Sequence, residues 1–130
     1  MSTITEPLVE EYYKWLKDKT TWKQLNNNWV VITTPYLNRH NDYIQVYLKQ
    51  EGAEYILTDD SYTIDDLEQS GCTLDTKQGE KFLEVTLNGF DVQKYGNELF
   101  VKTNQQNFAL NKHNLIQTIL AVNDMFYMFK

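Results

Sequence analysis

Apolar and polar residues follow two different spacings along this chain, and the changes between them outline the predicted elements. In residues 4–18, apolar side chains recur on one face of a helix, namely Leu8, Tyr12, Trp15 and Leu16. This spacing of three and four residues predicts an amphipathic α-helix. Thr3 and Glu6 stand at the spacing of a capping box, which favours a helix start at this point.

Strands are predicted where β-branched and aromatic residues run between turn signals or alternate with polar residues. The predicted strands are residues 29–34, 44–49, 54–58, 91–94 and 98–103. Pro35 should end the first of them, because proline lacks the N–H that a strand donates to its neighbour. Asn26–Asn28 is a turn that leads into this first strand. Glu51-Gly52 and Tyr95–Asn97 should each join two strands into a hairpin.

Two helices are predicted in the middle of the chain. Thr63 and Asp66 form a second capping pair, which opens a short helix that Gly71 closes. The next helix should extend from about Asp75 to Leu87 and stop at Asn88-Gly89.

A long final helix is predicted from Asn111, which should be its cap. Its apolar stripe consists of Leu115, Ile119, Val122, Phe126 and Phe129, flanked by Ile116 and Leu120. The end of the chain is apolar on every side, which is unusual for a helix that faces solvent. We therefore expect a contact with a second copy of the chain through Met125, Tyr127, Met128 and Phe129.

These elements predict an α+β fold in the order α-β-β-β-α-α-β-β-α. An antiparallel sheet of about five strands should carry the N-terminal, middle and C-terminal helices, mainly on one face. The 130 residues match the size of one domain, so residues 1–130 should fold as a single unit. The order is similar to that of small acidic type III secretion chaperones, which is an analogy at the level of the fold.

Composition and charge narrow the classes of function. The chain has 18 acidic and 12 basic residues, a net charge of −6, and Arg39 as its one arginine. Because guanidinium groups make most contacts to base edges, this composition argues against sequence-specific nucleic-acid binding. No apolar run approaches the roughly 20 residues of a membrane span, and no signal peptide is evident, so we expect a cytoplasmic protein. Cys72 has no second cysteine to pair with and is expected to be structural and half-buried.

The carboxylates are concentrated in one part of the chain. Residues 50–76 contain no Lys, Arg or His, and their acids are Glu51, Glu54, Asp59, Asp60, Asp65, Asp66, Glu68 and Asp75. Such segregation is typical of a face that meets a basic partner. The predicted partner-binding residues are Asp59, Asp60, Asp65, Asp66 and Glu68, with Tyr36, Arg39, His40 and Asp42 from the polar stretch before the second strand.

Metal-binding patterns fit these acids poorly. Asp59-Asp60 and Asp65-Asp66 lack the alternate spacing and the central glycine of a calcium-binding loop. A restriction-type nuclease core needs a lysine two residues after its acid, and Ile56 stands at that position after Glu54. We therefore predict no metal and no cofactor, and a metal-dependent hydrolase is the weakest alternative for function.

The stretch around His40 is the most polar part of the chain outside the acidic segment. His40 and Asp42 resemble a base and its orienting acid, but no Ser or Cys nucleophile lies near them in the sequence. Arg39 is expected to stabilise this loop by pairing with Asp42 or with the acidic segment. We predict no catalytic residue and a protein that is not an enzyme.

Five runs of the chain resemble one bacterial family. They are residues 33–44 (TTPYLNRHNDYI), 55–64 (YILTDDSYTI), 67–71, 87–90 and 108–110. In combination they are similar to the uncharacterised family called domain of unknown function 1828. The family usually has glycine where this chain has Ser61, which predicts a more helix-like turn here. Many members also carry a companion C-terminal domain, which is not expected in this chain.

The resemblance implies a prophage or mobile-element setting in low-GC Gram-positive bacteria, and it supplies no activity. Small size, segregated acidity and aromatic richness favour a phage-encoded inhibitor of a host defence protein, such as an anti-CRISPR, that binds a nucleic-acid-handling effector stoichiometrically. A dimeric accessory chaperone or an antitoxin-like protein-binding module is the alternative.

Overall fold

The strands of the protein form one antiparallel sheet with the spatial order β1-β2-β3-β4-β6-β5. A computed structural model describes residues 3–129. The strands are β1 Thr21–Gln24, β2 Trp29–Leu37, β3 Tyr43–Glu51, β4 Glu54–Thr58, β5 Gln93–Tyr95 and β6 Glu98–Thr103. The helices are α1 Thr5–Lys19, α2 Tyr62–Gln69, α3 Lys77–Phe90, α4 Phe108–Asp124 and α5 Phe126–Phe129. The predicted α+β class is confirmed, and β1 is a strand beyond the five that were predicted.

One face of the sheet carries the core. Cross-strand neighbours on this face are buried, including Ile32 beside Val46 and Leu57 beside Val101. Helix α4 packs on these strands, and α3 packs on α4 in turn. The predicted stripe of α4 is therefore correct in its first three members, since Leu115, Ile119 and Val122 are all buried in the core.

Strand β2 continues beyond Pro35, so the prediction that proline ends it is wrong. The register between β2 and β3 shifts between Thr33 and Leu37, which takes Pro35 out of the ladder. A proline within such an irregularity costs no hydrogen bond of the sheet, because no neighbouring carbonyl depends on the N–H that proline lacks. The hydroxyl of Thr34 donates to the carbonyl oxygen of Ile44 at 2.8 Å and supplies a cross-strand bond in this region.

The predicted caps of the first and last long helices are also wrong. Helix α1 begins after Ile4, whose side chain makes no capping hydrogen bond, so Thr3 and Glu6 do not form a capping box around its start. Helix α4 begins at Phe108, several residues before the predicted cap. Asn111 instead accepts a hydrogen bond from the hydroxyl of Thr103 at 2.6 Å, and this bond ties α4 to strand β6.

Both predicted ends of α3 are displaced. The helix begins at Lys77, because the hydroxyl of Thr76 accepts a backbone N–H of the first turn at 3.0 Å. It continues through Asn88-Gly89 and ends at Phe90, because the next residue, Asp91, has a left-handed φ of 56°. A glycine inside a helix is tolerated at a modest cost, so Gly89 was a weak stop signal.

The four C-terminal residues predicted to contact a second copy of the chain differ in their exposure. Met125 is 2% exposed and lies in the core, so its predicted place in an intermolecular contact is wrong. Phe129 is half-buried, with its ring edge-on to that of Phe82 at 5.7 Å between centroids. Of the four predicted contact residues, Tyr127 and Met128 are exposed.

Candidate functional site

A recess lies at the end of the sheet where strand β3 extends past its neighbour. Tyr47 pairs with Thr58, the last residue of β4, so within the described chain residues 43–46 pair with β2 alone. The turn after β4 and helix α2 fill part of this gap and leave a cavity of about 410 Å³. The cavity is lined by Thr33, Asn38, Asp42, Tyr43, Ile44, Gln45, Tyr47, Asp59, Tyr62, Thr63, Asp66, Ile119 and Asn123.

Asp59 is a buried acceptor of backbone hydrogen bonds at the base of this recess. Its carboxylate accepts the N–H groups of Ser61 at 2.9 Å, Thr63 at 3.2 Å and Leu99 at 3.0 Å. Burial raises the pKa of Asp59, and the hydrogen bonds oppose that rise. Asp59 therefore caps α2 from three residues before the helix, and the predicted capping pair of Thr63 and Asp66 is wrong.

The turn between β4 and α2 has a left-handed backbone at two consecutive residues that are not glycine. Asp60 has a φ of 57° and Ser61 a φ of 67°. The expectation that Ser61 makes this turn more helix-like is wrong, because Ser61 keeps a conformation that glycine adopts without steric cost. The turn is strained, and the strain lies beside the recess.

Replacing Ser61 by glycine should stabilise the protein. Relief of the left-handed strain outweighs the extra freedom of glycine in the unfolded chain, so the free energy of unfolding should rise by about 1 kcal/mol. Urea unfolding would measure the change. Ser61→Ala is the control, because it removes the hydroxyl and keeps the β-carbon. A loss of stability in Ser61→Gly, or an equal gain in both variants, would show that the backbone at Ser61 is not strained.

Arg39 and Asp66 form a nearly buried ion pair on the wall of the recess. Their side chains are 8% and 17% exposed, and Nη2 of Arg39 lies 2.9 Å from Oδ2 of Asp66. The same nitrogen donates to the hydroxyl of Ser70 at 2.5 Å, and the guanidinium lies 4.1 Å from the centre of the Phe126 ring. Nε2 of His40 lies 2.9 Å from Oδ1 of Asp66. The prediction that Arg39 pairs with the acidic segment is confirmed, and its partner is Asp66.

Burial and nearby carboxylates raise the pKa values of two tyrosines that line the recess. Burial raises the pKa of Tyr47, and the charges of Asp60 and Asp59 raise it further. Burial also raises the pKa of Tyr62, with further increases from the charges of Asp66 and Asp42 and an opposing effect from Arg39. The carboxylates thus act together on the aromatic groups beside them, as a site for a cation requires.

The remaining predicted site residues divide into two groups. Asp60 and Asp65 line a smaller cavity that shares Tyr47, Asp59, Tyr62 and Asp66 with the recess. Glu68 is joined to Asp65 through Asn97, whose Nδ2 donates to both carboxylates at 2.7 Å. Tyr36 lies apart from them, because the chain turns its side chain toward an apolar groove between α1 and α4. The structure therefore brings together every predicted partner-binding residue except Tyr36.

Several residues of the site were missed in the sequence. Tyr62 stands within the acidic run and is 52% exposed, so its position between acids was a signal that could have been used. Asn123 carried no such signal, since it lies in α4, far from the acidic run in the sequence. Tyr47 lies in β3 close before the acidic run, where it reads only as one position of an alternating strand. Asn123 accepts the backbone N–H of Arg39 at 3.4 Å across 84 residues of chain.

Residues 3–129 contain no group of three His, Cys, Asp or Glu side chains placed to hold a metal ion. In the same part of the chain, each helix is too short or too polar to span a bilayer. Fold and site together define a small α+β protein with a carboxylate-lined recess at the end of β3 that pairs with a neighbour on one side only.

The comparisons with known proteins identify the family. The family model described as Domain of unknown function DUF1828 matches residues 34–122, and the chain belongs to this family. The match includes every lining residue of the recess except Thr33 and Asn123, and it excludes α1 and β1, which precede it. No curated protein and no solved structure matches the chain.

Proposed function

We propose that the protein is a non-enzymatic binding module whose recess takes a basic side chain of a macromolecular partner. The observation that carries this proposal is the pair of free acids at the rim. The carboxylates of Asp42 and Asp60 are exposed and have no hydrogen-bond or ion-pair partner among residues 3–129. Arg39 and His40, which lie beside them, are both engaged by Asp66.

The chemistry of the rim suits a guanidinium or ammonium group. Carboxylates offer paired acceptors to the planar guanidinium, and tyrosine rings offer a face for a cation. Asp42 lines the recess and Asp60 lines an adjoining cavity of about 210 Å³, and Tyr47 and Tyr62 line both. Binding is favoured over catalysis because Asp59 is occupied by backbone N–H groups and Asp66 by Arg39, which leaves two separate acids at the rim.

The partner class we propose is a nucleic-acid-handling defence effector in a bacterial host cytoplasm, with the protein acting as a stoichiometric, anti-CRISPR-type inhibitor. Such effectors hold nucleic acid in basic grooves, and carboxylates on a small protein can occupy the same positions as phosphates. The resemblance to a family of prophage and mobile elements supports this setting. A dimeric accessory chaperone or antitoxin-like module is the alternative, and it would use the same recess on a different basic partner.

Reversing the two free rim charges should abolish this binding. We expect Asp42→Lys/Asp60→Lys to bind a purified Cas9-type effector at least about 100-fold more weakly than the unmodified protein, because two favourable contacts become repulsive. Biolayer interferometry at 0.1 and 0.5 M NaCl would measure the affinity, which should fall with salt. Guide RNA or target DNA should compete with the protein for the effector.

Glu54→Lys/Asp75→Lys is the matched control, because it makes the same change in net charge at exposed acids that do not line the recess. It should bind like the unmodified protein. Equal loss in both double variants would mean that net charge, and not the recess, controls binding. If the unmodified protein does not bind, the Cas9-type effector is excluded as its partner.

A further inference from the structure

The apolar groove between α1 and α4 is a second cavity of the domain, with a volume of about 720 Å³. It shares no lining residue with the recess. Its floor is the core-facing side of the sheet near β1, where Trp22 lies beside Ile32 and Val30 beside Leu48. Helix α4 packs on β4 and β6 and α1 packs on β2, which leaves this part of the sheet open between the two helices. A concave, mostly apolar cavity of this size is typical of a small-molecule site.

The basic side chains that line the groove are Lys17 from α1 and Lys112 and His113 from α4. No Asp or Glu among residues 3–129 lines it, although acids outnumber Lys and Arg by 18 to 12 in the whole chain. The groove thus differs in charge from the recess, whose lining includes three aspartates. Positive charge beside an apolar floor favours a ligand that joins an anionic group to an apolar one.

Lys112 is the basic group best placed to hold the anion. Its side chain is half-buried, and its ammonium has no hydrogen-bond or ion-pair partner among residues 3–129. Burial lowers the pKa of Lys112, because the charged form loses contact with water. A carboxylate beside the ammonium would replace that lost hydration. Phe108 and Ile116 lie four residues before and after Lys112 on the same side of α4, so apolar surface adjoins the charge.

We propose that the groove binds a fatty acid, with its alkyl chain on the apolar floor and its carboxylate at Lys112. Lys17 is exposed and lines the same cavity, so it adds positive charge where the carboxylate meets solvent. The floor residues Ile32 and Ile116 are only 8% and 4% exposed. The occupant must therefore be narrow enough to enter between the two helices, as an alkyl chain is.

A bound fatty acid would also stabilise α1 on the domain. This helix has no buried residue along its 15 positions, and an isolated helix of that length is marginal in water. An alkyl chain beside Leu16 would add apolar contact on the side of α1 that already meets β2. Helix α1 and strand β1 precede residues 34–122, so part of this site lies outside the family match.

Isothermal titration calorimetry of the full chain tests whether both parts of the ligand are needed. Decanoate, at concentrations below those at which it forms micelles, should bind saturably and raise the melting temperature. Decanol has the same chain without the charge and should bind at least about tenfold more weakly, and acetate should show no saturable binding. Decanoate that fails to saturate, or that binds no better than decanol or acetate, overturns the proposal. Binding to phosphatidylglycerol vesicles without binding to monomeric decanoate would assign the groove to a membrane surface and overturn it as well.

Lys112→Met tests where the carboxylate lies. This variant should bind decanoate at least about tenfold more weakly, because it removes the ammonium and keeps an unbranched side chain. Lys102→Met is the matched control, since it makes the same change in net charge at an exposed lysine of β6 that does not line the groove. It should bind like the unmodified protein. Equal affinities of the two variants would contradict the place given to the carboxylate.

Quenching of tryptophan fluorescence by 10-bromodecanoate tests where the alkyl chain lies, and it needs no substitution at Lys112. Trp22 lines the groove, whereas Trp29 lies on the other face of the sheet, with Nζ of Lys49 at 5.6 Å from the centre of its ring. The unmodified protein should be quenched, Trp22→Phe should lose most of the quenching, and Trp29→Phe should keep it. Quenching that survives Trp22→Phe would place the chain outside the groove and overturn the proposal.

Discussion

Replacing Asp66 by alanine should lower the free energy of unfolding by about 3–5 kcal/mol, because it leaves a buried guanidinium without its counter-charge. The side chain of Arg39 is only 8% exposed, and its Nε is buried without a hydrogen-bond partner among residues 3–129. After the substitution, Nη2 keeps only the hydroxyl of Ser70 and a weak contact to the main-chain oxygen of residue 66. Urea unfolding followed by circular dichroism would measure the loss.

Asp65→Ala is the control for this substitution, since it removes the neighbouring acid from the same helix. Asp65 bonds to a side-chain amide, and its loss should cost about 1 kcal/mol or less. A double variant, Arg39→Met/Asp66→Ala, should recover part of the stability because no buried charge is left without a partner. If Asp66→Ala and Asp65→Ala cost the same, the ion pair does not stabilise the fold.

The second large effect is expected at Asp59. Asp59→Ala should cost about 3 kcal/mol or more, because three backbone N–H groups lose their acceptor in a region that water reaches poorly. Both α2 and the pairing of the turn with β6 depend on these bonds. Asp42→Ala, an exposed acid on the same recess, should change stability by less than about 0.5 kcal/mol. Equal effects of the two substitutions would contradict the capping role of Asp59.

The pH dependence of stability gives a second measurement on Asp59. Its pKa is raised by burial, so the folded protein holds the proton more tightly than the unfolded chain. The stability that this difference contributes is complete below the ordinary pKa of an aspartate and is lost as the pH rises through the raised value. Asp59→Asn should flatten this decline, and an unchanged slope would mean that another group causes it.

The regular elements of the fold were predictable because they depend on local spacing. Ile44, Val46 and Leu48 alternate with polar residues, and the resulting strand has the predicted faces and the predicted hairpin partner. The errors occurred where a distant part of the chain decides the outcome. Pro35 does not end β2, because a register shift against β3 accommodates it, and no local pattern encodes that shift.

The sequence predicted which charged residues lie at the site, but it did not predict the role of each acid. The pairing of Arg39 with the acidic segment follows from the sequence, since Arg39 is the one arginine of the chain and that segment carries eight carboxylates and no base. The burial of Asp59 could not be predicted, because one of its donors is the N–H of Leu99, which is 40 residues away. Adjacent acids in an acidic run are therefore not equivalent, and a charge reversal at Asp59 or Asp66 should destabilise the fold.

The hydrogen bond from the N–H of Leu99 to Asp59 can form only when β6 has reached β4. Strands β1 to β4 pair in chain order, whereas β4 must wait for β6, which follows two helices later in the chain. Closing so long a loop is entropically costly, and pairings of this kind limit folding rates. On a ribosome, residues 50–76 emerge well before β6, so Asp59 leaves the exit tunnel before the N–H of Leu99 is there to bond it. The arrangement of carboxylates at the recess is therefore a late product of synthesis, completed only after the strand at residues 98–103 has docked.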